Sequence, residues 1–589
     1  MPATNRKAQK KGRDTAVQGT NDSSVVSKVS AAAQGYFNDV FLQHFVCKVA
    51  RRAPLINRGY YVRWKAVDHC VRKFLQITEK CPKRQVSSGL DWAAPTLILS
   101  EVVLTYMETK WSDAIIGWAA KLLPQSLFVM YEQIHPHDPF GQIMQEHFQK
   151  LNSTLHALRQ YPDTAAQRHR FLDKGWEECV CLDMNNFLFG LVPEEERCRL
   201  ESLEPFDEYE EWHQKCSHYF ILTASRGSLM AQALLPRAPE SPVPSVGPSW
   251  STTALSVRTT PVCVEGLGMA SASVRPGWVL LTGGSSRGGR RAAIRLLLRE
   301  QEGWRSVSVE PSADVGVRLY HTVTPIPGVG AVVFGGRSSP LNPVRSLFKM
   351  TFSLCGALES GGQDAPKLCM EEMMCTGSPP PPRWRHSATL TRHRGREFVF
   401  VFGGKNQSGA VLGDGYFLSV DQQHWTEIPV EGVAPEARHS HSACSYKGGG
   451  VVFGGLSRAG VPLDDTVILT QTERGFCWER IDVQPPPVPR YSHCAHVSGE
   501  KLVVVGGVWL HSDGVPGVVV INITTCSSME YSLDTTSVPW PLMLHSFCSE
   551  MTDSEDPELL LIGGGGNCFS FGTHWNPQPV TVDLKLMLG

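Results

Sequence analysis

Two residues of this chain, Arg63 and Glu101, have types and settings that suit a charged small molecule. Residues 96–99 are apolar and partly β-branched, as in a buried parallel strand, and Glu101 follows at the carboxyl end. Open α/β sheets bind their ligands at that end. Arg63 stands at the entry to a helix in which Val67, Cys70, Val71, Phe74 and Leu75 recur as one apolar face. A guanidinium there can grip a carboxylate through two parallel N–H donors. Taken alone, an arginine at such a place is more often a surface ion-pair partner. Other chemistries are poorly supported. Cys179-x-Cys181 lacks a second pair at zinc-finger spacing, and the acidic run 207–211 reads as solvated charge, so no metal site is expected.

A strand ending in Glu101 needs neighbours, and the chain supplies them downstream. Residues 111–123 read as a helix and 126–131 as a strand with Glu132 and Gln133 at its end. Helical patterns over 140–151 and 165–174 lead to a strand near 179–182, a helix start at 194–199 and a closing strand over 218–224. Upstream the supply fails. Arg63 and Glu101 lie 38 residues apart, whereas one βαβ unit takes about 30 or more. Arg84, Gln85 and Val86 begin a strand, but the chain then runs through Gly89 and Asp91 straight to residue 96. The interval holds neither a G-x-G turn nor a second strand ending in an acid for ribose hydroxyls.

Residues 51–63 (RRAPLINRGYYVR), 96–107 (TLILSEVVLTYM) and 207–225 (DEYEEWHQKCSHYFILTAS) together resemble the leucine carboxyl methyltransferase family. The resemblance implies a Rossmann-like α/β class I methyltransferase that uses S-adenosylmethionine, here lacking several strands. It implies that Arg63 pairs with the cofactor's carboxylate, that Lys28 and Glu101 contact the cofactor, and that Tyr106 walls the substrate pocket. Arg63 and Tyr106 are then the catalytic candidates. The family reaction needs no nucleophilic triad. A substrate carboxylate attacks the sulfonium methyl in line, and catalysis is placement and exclusion of water.

The second half has another rhythm. Apolar β runs end in Gly-Gly at Gly283, Gly335, Gly403, Gly454, Gly506 and Gly563, at intervals of 52, 68, 51, 52 and 57 residues. That spacing is close to the roughly 50 of a kelch repeat. Trp304, Trp425 and Trp478 recur in phase, as do the pairs Tyr320-His321, Arg385-His386 and Arg438-His439 and the triplet ending in His493. One histidine per repeat at one phase predicts packing rather than chemistry. The long second interval predicts an inserted loop around 360–364 and 379–382, a candidate partner contact.

The expected partition is a disordered basic tail over 1–17, a methyltransferase domain over 18–230 with a deletion near 86–92, a proline-rich linker over 231–265, and an all-β, six-bladed kelch propeller over 266–588. Within the family, a kelch half points to the branch that acts on tRNA. The reaction implied is carboxyl methylation and methoxycarbonylation of the wybutosine-precursor side chain at the modified guanosine of tRNA-Phe. The alternatives are a binding-only propeller module, which the missing turn and acid favour, and a protein leucine carboxyl methyltransferase, whose branch carries no propeller. A net charge of −1 over 589 residues advertises no global nucleic-acid field. The 17 cysteines read as free thiols in a reducing compartment, and no run reaches the length of a membrane span. Cytoplasm is the expected location, with protein partners on the propeller.

Overall fold

The computed structural model describes residues 3–46, 50–79, 94–231, 234–236, 247–290, 294–301, 303–353, 367–510, 515–552 and 557–588. The expected deletion near 86–92 and the loop at 360–364 lie outside them. Two compact units emerge, Met1–Ser245 with Asn567–Gly572, and Val246–Gly566 with Thr573–Gly589.

The first unit begins with α1 (Ala3–Ala33) and α2 (Pro54–Thr78). A disordered tail over 1–17 is therefore not what the structure gives, because one helix runs from Ala3 through Ala33. Arg63 also moves. It lies in the third turn of α2 rather than at its entry, because Pro54 starts the helix at the position where a missing N–H costs nothing. The buried face of α2 runs through Leu55, Gly59, Val62, Ala66 and Cys70, while Leu75, expected inside, is exposed.

Among the described residues four strands form the sheet of this unit: β1 (Thr96–Glu101), β2 (Ser126–Gln133), β3 (Glu178–Asp183) and β4 (Tyr219–Arg226), in the order β1-β2-β4-β3. The first two are parallel, and β4 runs antiparallel to both β2 and β3. β1 is not the buried strand that its sequence predicts. Among the described residues it is an edge, and Leu99 is 46% exposed. β2 lies inside, and all eight of its residues are buried. Its side chains alternate. Phe128 and Met130 pack with Phe220 and Leu222 against Ile116 of α3 (Thr109–Leu122) and Phe171 of α5 (Thr164–Asp173). Tyr131 and Gln133 point to the opposite face. Between these helices α4 (Pro139–Lys150) is capped by Asp138, whose carboxylate accepts the Gly141 N–H. Three further helices, α6 (Met184–Leu191), α7 (Glu194–Leu203) and α8 (Tyr209–Ser217), precede β4.

The second unit is built from mainly antiparallel sheets, six of them with at least four strands among the described residues, and three of the six add a short parallel edge pair. Five of these take their strands from one continuous stretch of chain, such as Ser442–Tyr446, Gly449–Phe453, Thr466–Gln471 and Phe476–Ile481. The sixth combines Phe547–Met551, Glu558–Gly563 and Val580–Asp583 with Leu255–Thr259 from the start of the unit. Residues 255–259, assigned by sequence to the linker, are thus part of a sheet.

One backbone position per sheet carries a hydrogen bond to the next. Tyr320 N–H donates to Gly268 O, Arg385 to Tyr320 O, Ser440 to Arg385 O, Ser492 to Ser440 O, and Gly268 to Ser546 O, at 2.8–3.0 Å. The Ser546 N–H donates to Ser492 Oγ at 3.3 Å. The glycine doublets sit just after the second strand of each sheet, in the left-handed region. At Gly403, with φ +64°, an added Cβ would lie 2.7 Å from Arg438 O and 2.8 Å from His441 Cε1. The phased histidines bridge sheets as packing groups. His386 Nε2 meets Thr322 Oγ1 at 3.1 Å, His441 meets Ser387 Oγ at 2.8 Å, and His493 meets Ser442 Oγ at 2.9 Å. In the second of these the bridging residue is His441, not the predicted His439. Burial pushes His386 and His493 down to about 3, so these rings are neutral.

Candidate functional site

Strand register gathers the site. Glu101 pairs with Tyr131 across the parallel β1–β2 ladder, and Gln133 pairs with Tyr219 across β2–β4. Directly paired residues, and residues two apart, share a face. Glu101, Tyr131, Gln133 and Tyr219 therefore line one face at the carboxyl end of β1 and β2. Above them α2 contributes Tyr60 and Arg63, and α8 contributes Lys215. A cavity of about 1270 Å³ opens there, lined by Lys28, Arg63, Glu101 and Tyr106 together with these residues. The four side chains singled out in the sequence thus face one space.

Charge is concentrated on one side of it. Lys28 Nζ lies 2.9 Å and Arg63 Nε 2.5 Å from Oε1 of Glu101. Burial pushes the Glu101 carboxyl up, but Arg63 and then Lys28 outweigh burial and hold it below the usual carboxylate range. The two terminal nitrogens of Arg63 have no hydrogen-bond partner among the described residues, so half of its fork is open. Tyr106 closes a 3-10 turn, Leu104–Tyr106, that the buried Glu132 fastens by accepting the Thr105 N–H at 2.9 Å. Burial pushes Glu132 up to about 7 despite Arg170 and that bond. Tyr106 packs 6.2 Å, ring centre to ring centre, from Phe148.

The opposite side is aromatic with a single cation. Tyr131 and Tyr219 stack at 5.5 Å. Lys215 Nζ donates to Tyr131 Oη at 3.1 Å and to Gly59 O at 3.3 Å. Burial pulls its ammonium down to about 8. Among the described residues no group of three or more His, Cys, Asp or Glu could hold a metal ion. No helix among them is long and apolar enough to cross a membrane.

The family described as the KLHDC2/KLHL20/DRC7 Kelch-repeats domain matches residues 321–564. Over 97% of its length this chain is 40% identical to the tRNA wybutosine-synthesizing protein 4 of Homo sapiens, covering 98% of that protein. Identity to the protein of that name from Rattus norvegicus is also 40%, over 97% of this chain and 98% of the relative. The chain belongs to the tRNA wybutosine-synthesizing protein 4 family. A leucine carboxyl methyltransferase 1 homolog from Arabidopsis thaliana is 27% identical over 37% of this chain and 91% of its own length. Wybutosine-synthesizing and carboxyl methyltransferase relatives thus meet in one chain.

Compared with its wybutosine-synthesizing relatives, the chain is short inside. The alignment to the human protein has 688 positions but covers 97% of 589 residues, about 571, so about 117 positions face no residue here. The Arabidopsis alignment has 302 positions against 37% of the chain, about 218 residues, leaving about 84 unfaced.

Sequence reasoning missed Lys215 and the pairing of Gln133 with Tyr219. A signal existed for the first. Lys215 lies between the buried Trp212 and Cys216, on the face of α8 that should be apolar.

Proposed function

We propose that this chain acts in wybutosine synthesis on tRNA-Phe in the cytoplasm. The family reaction is methylation of a side-chain carboxylate on the tricyclic guanosine derivative, then methoxycarbonylation of that side chain's amino group, with S-adenosylmethionine as methyl donor. The observation that carries this reading is the cavity at the carboxyl end of β1 and β2. Three cations, the carboxylates of Glu101 and Glu108 and a set of tyrosines converge there, a setting for planar ligands that carry carboxylates.

The residues fit the amino-acid end of the cofactor. The open half of the Arg63 fork would take its carboxylate, Lys28 adds positive charge, and Glu101 fixes the guanidinium. Tyr106 would wall the substrate side. The nucleoside end does not fit. The chain between Arg63 and Glu101 has no glycine turn and no ribose acid, and about 117 positions of the human relative have no counterpart. These residues alone do not hold the whole cofactor.

The same reading makes the first unit a Rossmann-like class I methyltransferase that has lost several strands, which the parallel β1–β2 pair beside an antiparallel β4 supports. It makes the second unit a closed six-bladed kelch propeller, a platform for tRNA or protein partners. The circle of hydrogen bonds through Gly268, Tyr320, Arg385, Ser440, Ser492 and Ser546 supports closure. A protein leucine carboxyl methyltransferase is disfavoured by the kelch match.

The test compares this chain with a version in which the missing positions are restored from the human relative. Calorimetry with S-adenosylhomocysteine should give far tighter binding to the restored form, and that form should convert the carboxylate-bearing tRNA base to its methyl ester. No ester from the restored form overturns the reading. The binding-only alternative rests on the absent positions, and ester formation by the chain as it stands excludes it.

A further inference from the structure

Lys215 is only 2% exposed, yet among the described residues no carboxylate lies within ion-pair distance of its Nζ. Other buried cations of this unit are matched. Arg58 has Glu201 at 2.8 Å, and Arg170 has Asp113 at 2.8 Å. A buried charge without a counter-charge costs several kcal/mol, so its retention asks for a reason. Gln133 poses the same question. It is 2% exposed, lines the same cavity, and its Oε1 has no donor. An unmet buried acceptor also carries a desolvation cost. Between them stands Tyr219, paired with Gln133 in the ladder and with its ring centre 4.8 Å from Lys215 Nζ.

We propose that Lys215 and Gln133 form a subsite for an amino-acid head group, the carboxylate on Lys215 Nζ and the ammonium on Gln133 Oε1, and that this head is the tRNA substrate's side chain. The assignment to the substrate rests on the wybutosine reading, in which that side chain carries both a carboxylate and an amino group. A second carboxylate needs a second cation. Arg63 already offers an open half-fork for the cofactor, so Lys215 serves the other ligand. The stacked pair of Tyr131 and Tyr219 supplies a wall against which the alkyl part of the side chain can pack. The cofactor's own methionine end has the same chemistry and is the competing source.

Calorimetry on the full chain separates the two. The ligands are the modified guanosine nucleoside with its free side chain, the carboxyl methyl ester of that nucleoside, and S-adenosylhomocysteine. Lys215→Met should weaken the free acid by about 30-fold or more, the size expected for losing one charge-assisted contact. The ester and S-adenosylhomocysteine should each change less than about threefold, because neither places a carboxylate on Lys215. Gln133→Leu should weaken acid and ester alike, since both keep the amino group. A loss confined to S-adenosylhomocysteine assigns the subsite to the cofactor and overturns the proposal. In Lys215→Met, equal loss for acid and ester overturns it too.

A measurement on the unmutated chain guards against misfolded variants. Lys215 is labelled with an amine-reactive reagent near pH 8 and quantified by peptide mass spectrometry, with 2-aminobutyrate or butylamine present. Protection by 2-aminobutyrate and not by butylamine is expected. Protection without any nucleoside binding retains the amino-acid subsite and removes the tRNA assignment. Absence of protection by both 2-aminobutyrate and the nucleoside overturns the subsite itself.

Discussion

Arg63 Nε lies 2.5 Å from Oε1 of Glu101, and Lys28 Nζ reaches the same oxygen at 2.9 Å. Three elements distant in sequence, α2, β1 and α1, are tied at that atom. The tie also orients a ligand group, because the guanidinium is held through Nε and Arg63 lines the cavity. Glu101 therefore acts as an anchor for Arg63 as well as a wall of the site.

Removing Arg63 should cost stability as well as binding. Arg63→Ala leaves a mostly enclosed carboxylate with Lys28 alone, a loss of about 3 kcal/mol for the first unit. Arg63→Lys should recover part, because an ammonium cannot reproduce the fork. The sign with pH follows from Glu101, whose carboxyl is held below its ordinary value. Its contribution is full above the unfolded-state value and is lost as pH falls through the folded one. Hydrogen exchange of the α2 amides across an acid titration measures both effects. An Arg63→Ala chain with wild-type protection would show that the tie carries no stability.

How far the sequence could be read depended on how local the signal was. β2, β3 and β4 were legible because each is a short apolar run. Their ligand-bearing end was legible too, since Glu101 follows an apolar strand. Arg63 was placed at a helix entry because Val67 to Leu75 look amphipathic, whereas Pro54 and the tertiary contacts of Leu55 and Val62 set the true start. Lys215 was illegible as a site residue: a lysine among aromatic residues normally lets its stem lie on apolar surface with the head in water. Tertiary packing encloses it, with Gly59 O of α2 and Tyr131 Oη of β2 accepting from its ammonium. Residues 255–259 escaped notice because just Leu255 and Val257 point inward, and their partner lies more than 300 residues away.

Lys215 should also leave a mark on the pH dependence of stability. Burial lowers its ammonium from 10.5 to about 8. Between those values the unfolded chain keeps the proton and the folded chain has lost it. Stability therefore rises with pH across that window, by about 3 kcal/mol, and the whole penalty is present below it. Lys215→Met should remove the rise. Hydrogen exchange of β4 and α8 compared at matched intrinsic rates from pH 7.5 to 10 tests this. A rise that persists in the Met variant would assign it to another group.

Buried arginines in the second unit divide into matched and unmatched. Arg438 reaches both oxygens of Asp465, at 2.6 and 2.8 Å, and Arg490 pairs with Glu530. Among the described residues Arg318 has only carbonyl and hydroxyl hydrogen-bond partners, Val315 O, Ser346 O and Ser346 Oγ, and burial brings its guanidinium down to about 10. Asp465→Ala should cost about 3–5 kcal/mol by stranding a buried charge, whereas Arg318→Met should cost about 1 kcal/mol or less. Thermal unfolding of the two variants gives the comparison, and equal losses would contradict it.

The last expectation concerns the strand that joins the beginning of the second unit to its end. Val257 pairs with Val582, Arg258 with Thr581 and Thr259 with Val580, in antiparallel register. Leu255 and Val257 are buried against Leu559, Leu561 and Val582 in one cluster. Were residues 255–259 a linker, a charge at position 257 would be tolerated. In a sheet core, Val257→Asp buries a carboxylate without a partner and removes an apolar side chain. The cost should exceed about 3 kcal/mol. Val433, 88% exposed in a connecting loop, is the control, and Val433→Asp should change stability by no more than about 0.5 kcal/mol. Hydrogen exchange at 580–583 is the local readout. Those amides should lose protection in Val257→Asp ahead of the sheet that holds Ser442–Tyr446, because the break starts where the first and last strands meet. Unchanged protection there would return residues 255–259 to the linker and leave the sixth sheet without its closing strand.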